Sequence, residues 1–481
     1  MSFSVGGKTL VALLVGFIVL DLGYSFVQHL NGTLDGDMPA IVVPGRWHTE
    51  VLKDPFGFGV LTEGKRYTGT NRFFAHWSES TYYKTVPLLL QVFVSPVESV
   101  YLATALFKTA LQMLLVWLLA VYIAGTGRIR SREFLVAAAL VLPLFQVSGF
   151  PETLWIIGPS VTYMFFYTVP LALLLLFFLP FYRRLILRQE KKMSVVQKSG
   201  LAALALILPF NGPLMPALVL VVCPAVLSLL FLKGFRRGAE TPLPGRTLLA
   251  LRSVPKPVWF YFGLISAMSS YSYYIGLFNS ENDMSVGLAQ RYGLLWPGLR
   301  EQLFSEYAYP ILFGVIALNL WLMRKNPLAQ PLLTFYLGLL LFSVVYLSLL
   351  PLGGYRPYRA LLVRGDTFMP VAMCIFFVYG SSTLHVLRLT NLRFVGAYAT
   401  ALVAVVVILT GADRFDNTVH RCEKEALKAI ASSPEPVVRL DTWCGVLEWR
   451  AIKEPEHSET ASQLLHIWKI TDTEKRYTTS P

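Results

Sequence analysis

The sequence predicts a polytopic α-helical membrane protein. Three observations carry that prediction. Of 481 residues, 54% are hydrophobic, only 15% are charged against the roughly 25% of ordinary soluble domains, and the mean hydropathy is +0.54. Twenty-nine acids and 42 bases are too few to clothe a soluble protein of this size. Four cysteines exclude a disulfide scaffold, and the apolar content excludes disorder. The net charge of +13 does not point to nucleic acid, because the bases sit in short segments between apolar runs rather than on one polar face.

Apolar stretches near twenty residues are long enough to cross a hydrocarbon core about 30 Å thick. About eleven are present, at roughly 8–28, 99–124, 134–150, 157–182, 199–212, 214–232, 257–277, 309–323, 331–352, 367–386 and 394–411. The third, fifth and eighth are short. The first reads as a retained span rather than a signal peptide, since Asp21 interrupts it and no small-x-small site follows. Two charges fall inside spans, Asp21 and Lys108, and are expected to pair with each other or, for Lys108, to snorkel.

Orientation follows from the loops. Arg128, Arg130 and Arg132 follow the second span, and Arg183, Arg184, Arg188, Lys191, Lys192 and Lys198 follow the fourth. Lys233, Arg236, Arg237, Arg246, Arg252 and Lys256 follow the sixth, Arg324 and Lys325 the eighth, Arg388 and Arg393 the tenth. Simple alternation puts all of these on one side with the N-terminus, which makes that side cytoplasmic. The expected location is a bacterial inner membrane with the C-terminus periplasmic, because the connecting loops are short and no eukaryotic retention signal ends the chain.

The expected organisation is a transmembrane domain over 1–411 and a small extracytoplasmic α/β domain over 412–481. The first domain includes a long extracytoplasmic loop, 29–98, whose stretch Val86–Val97 suits an amphipathic helix in the interface. The tail reads as a helix over Thr418–Ser432, a strand over Val437–Leu440 and a further segment near Leu464–Ile470. Cys422 and Cys444 both lie in that tail and are expected to pair in an oxidising compartment. Cys223 and Cys374 lie inside spans, where a thiol packs as a small hydrophobe.

Candidate chemistry concentrates on the extracytoplasmic side. Asp35 and Asp37 flank a glycine just after the first span. Two close carboxylates push one pKa upward, as a general base requires, and also suit a divalent cation such as Mg or Mn; an Asp-Gly turn uses the same residues. Arg46, His48, Glu50, Arg72 and His76 follow among aromatics, a mixture suited to a sugar or phosphate ligand as well as to a packed interfacial loop. A zinc set of His48, Glu50 and His76 matches no standard spacing. The loop after the ninth span carries Arg356, Tyr358, Arg359 and Arg364. Arginines on an outward loop run against the charge rule, and guanidinium groups match phosphate oxygens, so this loop is read as a phosphate or pyrophosphate site; interfacial anchoring is the competing reading. Glu152 is a further candidate acid, whereas Glu281 and Asp283 are expected to be solvated. Walker, nucleophile-elbow and His-Glu-x-x-His motifs are absent.

About eleven spans, with a long outward first loop carrying acids soon after the first, resemble the GT-C superfamily of membrane glycosyltransferases. The resemblance implies transfer of a sugar from a polyprenyl-phosphate carrier to a glycan, lipid or protein acceptor, with inversion. It gives Asp35 or Asp37 the part of base, and Arg356, Arg359 and Arg364 the part of phosphate holders; no metal is implied for many members. This chain has Asp-Gly-Asp where many members carry an adjacent acidic pair. Two other classes compete. A transporter or flippase of phosphate-containing lipids would use the arginines without chemistry and depend on Asp21 or Lys108, and an envelope assembly subunit would use the tail for docking. The long first loop and the lack of a repeat favour the enzyme.

Overall fold

The computed structural model describes residues 7–45, 48–145, 147–150, 154, 156–190, 192–238, 240–282, 285–356, 361–389 and 395–479. The longer helices in chain order are α1 (Gly7–Leu30), α2 (Phe73–Leu90), α3 (Pro96–Ala124), α4 (Arg132–Val141), α5 (Val161–Leu185) and α6 (Val195–Phe210). Then come α7 (Met215–Arg237), α8 (Leu243–Ser253), α9 (Lys256–Gly276), α10 (Leu288–Phe304), α11 (Ala308–Met323) and α12 (Pro327–Gly353). The series ends with α13 (Gly365–Leu387), α14 (Val395–Ala412), α15 (Thr418–Ser432) and α16 (Glu459–Ile467). Strands β1 (Val437–Leu440) and β2 (Arg476–Thr479) pair in parallel, with Val437 opposite Arg476.

Seven helices, α1, α3, α5, α7, α12, α13 and α14, are long and apolar enough to cross a membrane. The pair α10–α11, bent by 80°, adds an eighth if it is one broken span. The chain is therefore an α-helical integral membrane protein. Each of the eleven apolar stretches holds a helix, but four fall short of that standard for identifiable reasons. Helix α4 has only 10 residues before the 3-10 turn Leu142–Leu144, α6 is short, and α11 alone has 16 residues. Helix α9 has 21 residues, but its serines and tyrosines lower its hydropathy.

Local sequence sets the helix ends. Ser95 accepts the Glu98 N–H, Pro96 takes the first turn, and Gly125 closes α3 in the left-handed region at φ 71°. The interfacial helix expected over Val86–Val97 is displaced: α2 occupies Phe73–Leu90 and α3 begins at Pro96. Proline interrupts a helix least at its first turn, so Pro96 starts one instead of continuing another. The connection between them exposes Val92 (79%) and Phe93 (81%), an apolar edge suited to a membrane surface.

Long-range hydrogen bonds show which helix ends lie together. On one face, Tyr24 and Gln28 near the end of α1 donate to Asp413 just beyond α14, each at 3.0 Å. The same face gathers the first loop, the start of α5 and the end of α9: the Thr162 N–H donates to Asp35, and the Thr70 hydroxyl donates to the Ile275 carbonyl. On the other face, Tyr182 near the end of α5 donates to the Tyr122 carbonyl near the end of α3 at 3.0 Å, and Tyr261 donates to the Lys198 carbonyl at 3.0 Å.

The tail builds a small cap on the first face. Leu427, Ile430, Val438, Leu440, Leu464, Leu465 and Tyr477 fill its core, which runs on into that of the membrane helices. Trp468 is fully buried; its Nε1–H donates to the Tyr83 carbonyl at 2.9 Å, and its own carbonyl accepts from Gln91 at 2.7 Å. Cys422 and Cys444 are joined as a disulfide, Cα–Cα 6.2 Å, tying α15 to the segment after β1.

Candidate functional site

The site is built on the first turns of α2. Gly69 takes φ +73° and donates its N–H to the Asn279 side chain at 3.1 Å. A Cβ there would stand 3.0 Å from His76 Nε2, so glycine suits the position twice over. Thr70 and Asn71 donate to the Ile275 and Ser272 carbonyls of α9. These bonds pin Arg72 at the helix N-cap, so that Arg72, His76 and Glu79, at i, i+4 and i+7, share one face. At about 1.5 Å per residue, roughly 10 Å separates the two ends of that row.

At the basic end, two distant loops meet. Glu281 lies 2.5 Å from Arg356 Nη2 and 3.8 Å from Arg72 Nη1. The His48 ring lies 5.4 Å from that of His76, which also packs edge-on against Phe166 at 4.8 Å. Burial pushes the Glu281 carboxyl up, but Arg356, Arg72 and His48 outweigh it and hold it below the usual carboxylate range. Burial lowers the pKa of His48, Glu281 opposes that, and Arg72 adds to it. Burial holds His76 well below the ordinary histidine value, with His48 and Arg72 adding to the effect. Both imidazoles are therefore neutral near pH 7. Two guanidinium groups thus converge on the Glu281 carboxylate at this end.

At the acidic end, Asp35 is 1% exposed. Its carboxylate accepts from the Ser160 hydroxyl, from the Thr162 N–H at 2.7 Å and from the Asp37 N–H at 2.8 Å. It thus locks the start of α5 to the Asp-Gly-Asp segment. Gly36 is required by close approach: a Cβ would fall 2.7 Å from the Trp449 backbone nitrogen in the cap. Glu79 is fully buried and accepts from the Thr162 hydroxyl at 2.7 Å. Burial pushes its carboxyl well above the usual range, with Asp35 and then Asp37 pushing the same way. Asp37 is only half-buried.

Several expectations are corrected. Glu281 is not a solvated loop acid but the link between Arg72 and Arg356. Glu50 stays out of the site: it is exposed and pairs with Lys53 at 2.9 Å, because the turn Val51–Lys53 brings these i,i+3 neighbours together. The zinc set is therefore not assembled, and among the described residues no group of three or more His, Cys, Asp or Glu is arranged to hold a metal ion. Arg364 caps α13 and is held by Asp366, Nη2 to Oδ2 2.6 Å and Nε to Oδ1 3.1 Å. Lys108 neither pairs with Asp21 nor snorkels: it is buried and donates to the Gly158 and Pro159 carbonyls at 3.0 and 2.6 Å. Those bonds hold the loop that presents Ser160 to Asp35. Arg46, Glu152, Asp283, Tyr358 and Arg359 lie outside the described residues.

Sequence reasoning missed Glu79 and the role of Glu281. Glu79 was accessible through its i+7 spacing from Arg72 once α2 is drawn from Phe73. Glu281 carried no such signal. No protein-family model, no curated protein and no solved structure matches this chain.

Proposed function

We propose that this protein is a membrane glycosyltransferase that takes a sugar from a polyprenyl-phosphate carrier and passes it to a glycan, lipid or protein acceptor. The observation that carries the reading is the row along α2. One end carries the guanidinium groups of Arg72 and Arg356, and the other, about two helical turns along, the carboxyl groups of Glu79 and its neighbours Asp35 and Asp37. A phosphate leaving group and a proton-accepting base need those two poles near one reacting carbon.

The part of base falls to Asp37. Asp35 is enclosed beneath the cap, whereas Asp37 beside it is half-buried. Asp37 takes the proton of the acceptor hydroxyl as its oxygen attacks the anomeric carbon. The bond from that carbon to the phosphate oxygen breaks, the electron pair stays on the phosphate, and the centre inverts. Arg72 and Arg356 stabilise the developing charge, with neutral His48 and His76 donating to phosphate or sugar oxygens.

The loop-bearing face is read as periplasmic in a bacterial inner membrane, because the opposite helix ends carry the arginine and lysine clusters. All eleven apolar helices are taken to cross. Helices α1 and α14 end on the same face at Asp413, as an odd number of crossings such as eleven requires.

The test is lipid mass spectrometry followed by a transfer assay in proteoliposomes. Wild type is expected to co-purify a polyprenyl-phosphate species that Arg356→Ala loses, and Asp37→Asn is expected to bind donor without turnover. Full turnover by Asp37→Asn overturns the base; bulk phospholipid alone in both proteins, with no transfer from any polyprenyl-linked sugar, overturns the enzyme.

A further inference from the structure

A concave site lies on the face opposite the loops. It has a volume of about 450 Å³ and is lined by Arg184, Lys192, Met193, Lys198, Lys256, Pro257, Phe260 and Tyr261. Four bases come from three separate pieces of chain. Arg184 is in the last turn of α5, Lys192 and Lys198 lie in and just after the α5–α6 connection, and Lys256 opens α9. The three pieces are held together: Tyr261 donates to the Lys198 carbonyl at 3.0 Å, and Phe181, one turn before Arg184, packs edge-on against Phe262 at 4.8 Å.

Two features separate this site from the ordinary scatter of bases at helix ends. The first is convergence: bases from three separate pieces of chain line one hollow, and among the described residues none of the four forms an ion pair. Four like charges held around one hollow repel one another unless an anion enters. The second feature is the wall. Met193, Pro257 and Phe260, the last 60% exposed, line it with apolar surface. A hydrated small ion gains nothing from that surface, whereas a lipid sets its acyl chains against it and its phosphate among the bases. Basic hollows between transmembrane helices on the positively charged side take phospholipid head groups for this reason.

We infer that the hollow bounded by Arg184, Lys192, Lys198 and Lys256 binds the phosphodiester head group of an anionic glycerophospholipid in the leaflet opposite the candidate sugar-transfer site. The inference stands independently of the glycosyltransferase reading, since it uses none of the same residues and the opposite face of the molecule.

Native mass spectrometry of the full chain tests it, with phosphatidylglycerol and phosphatidylcholine titrated separately and inorganic phosphate as competitor. Wild type is expected to hold phosphatidylglycerol in preference to phosphatidylcholine. Lys198→Ala/Lys256→Ala is expected to weaken phosphatidylglycerol about thirty-fold, roughly five-fold per lysine, and to leave phosphatidylcholine unchanged. Lys198→Arg/Lys256→Arg keeps the charge and is expected to keep the binding. Both lysines are exposed, so the variants spare the fold. Equal retention of phosphatidylglycerol by the alanine variant overturns the inference. So does equal binding of phosphatidylcholine by wild type, which marks a merely apolar groove, or displacement by millimolar inorganic phosphate, which marks a free-ion site.

Discussion

Glu423 of the cap accepts the backbone N–H of Leu34 at 2.9 Å, one residue before the buried Asp35. The same oxygen accepts the Tyr101 hydroxyl at 2.9 Å. One carboxyl thus joins the cap, the first loop and α3, and the segment bearing the candidate base is clamped by a residue 389 positions away.

Burial raises the Glu423 carboxyl from 4.5 to about 7, against the opposing hydrogen bonds from Leu34 and Tyr101. Between those values the folded chain holds a proton that the unfolded chain has released. The stability contributed by this group is then fully present below about pH 4.5 and is lost as pH rises toward 7, by about 3 kcal/mol in all. Thermal denaturation in detergent is expected to show Glu423→Gln lacking this slope relative to wild type. Parallel pH curves for the two proteins contradict it.

Gly36→Ala is expected to loosen the cap. The added Cβ meets the Trp449 nitrogen at 2.7 Å and the Glu448 carbonyl carbon at 2.9 Å, both backbone atoms that cannot rotate away. Overpacking of this kind costs about 1–3 kcal/mol. Limited proteolysis within 413–479 is expected to accelerate while the membrane helices stay protected; an unchanged cleavage rate contradicts the prediction.

Asp35 and Asp37 are expected to fail differently. Asp35→Ala strands the buried Ser160 hydroxyl and Thr162 N–H, at about 1–3 kcal/mol each, and frees the half-buried Asp37 N–H. It is expected to reduce folded yield and thermal stability sharply. Asp37→Asn is expected to retain both while losing transfer. Normal stability of Asp35→Ala removes the structural role given to that residue.

Glu281 competes with an incoming phosphate for Arg72 and Arg356. Glu281→Gln is expected to tighten polyprenyl-phosphate binding, whereas Arg356→Ala is expected to weaken it about 10- to 100-fold, the worth of a charged hydrogen bond. Opposite signs in a lipid-binding titration support the site; weakening by both variants makes Glu281 a positioning residue for the arginines instead.

Replacing Cys422 and Cys444 with serine is expected to cost the cap about 3 kcal/mol, the chain entropy of a loop closed over a sequence separation of 22. Hydrogen exchange is expected to quicken across Thr418–Leu440 and not in α3 or α13. Uniform protection in the variant contradicts a stabilising role.

Much of this architecture was legible from the sequence because a bilayer is a simple solvent. Apolar runs had to become helices, since no water inside the membrane satisfies a bare backbone, and the tail's helix over Thr418–Ser432 and strand over Val437–Leu440 followed from local pattern. The phosphate-matching character of Arg356 and the basic residues of the first loop were legible as residue types. Their pairing was not. Glu281 meets Arg72 and Arg356 only because Tyr67–Thr70 run against Ile275–Ser280, a contact across about 210 residues without sequence periodicity. The division between Asp35 and Asp37 was equally hidden, because the two are the same residue type two positions apart. Which one is enclosed was decided by Ser160, Thr162 and the cap, through burial and hydrogen-bond supply that only the folded chain creates.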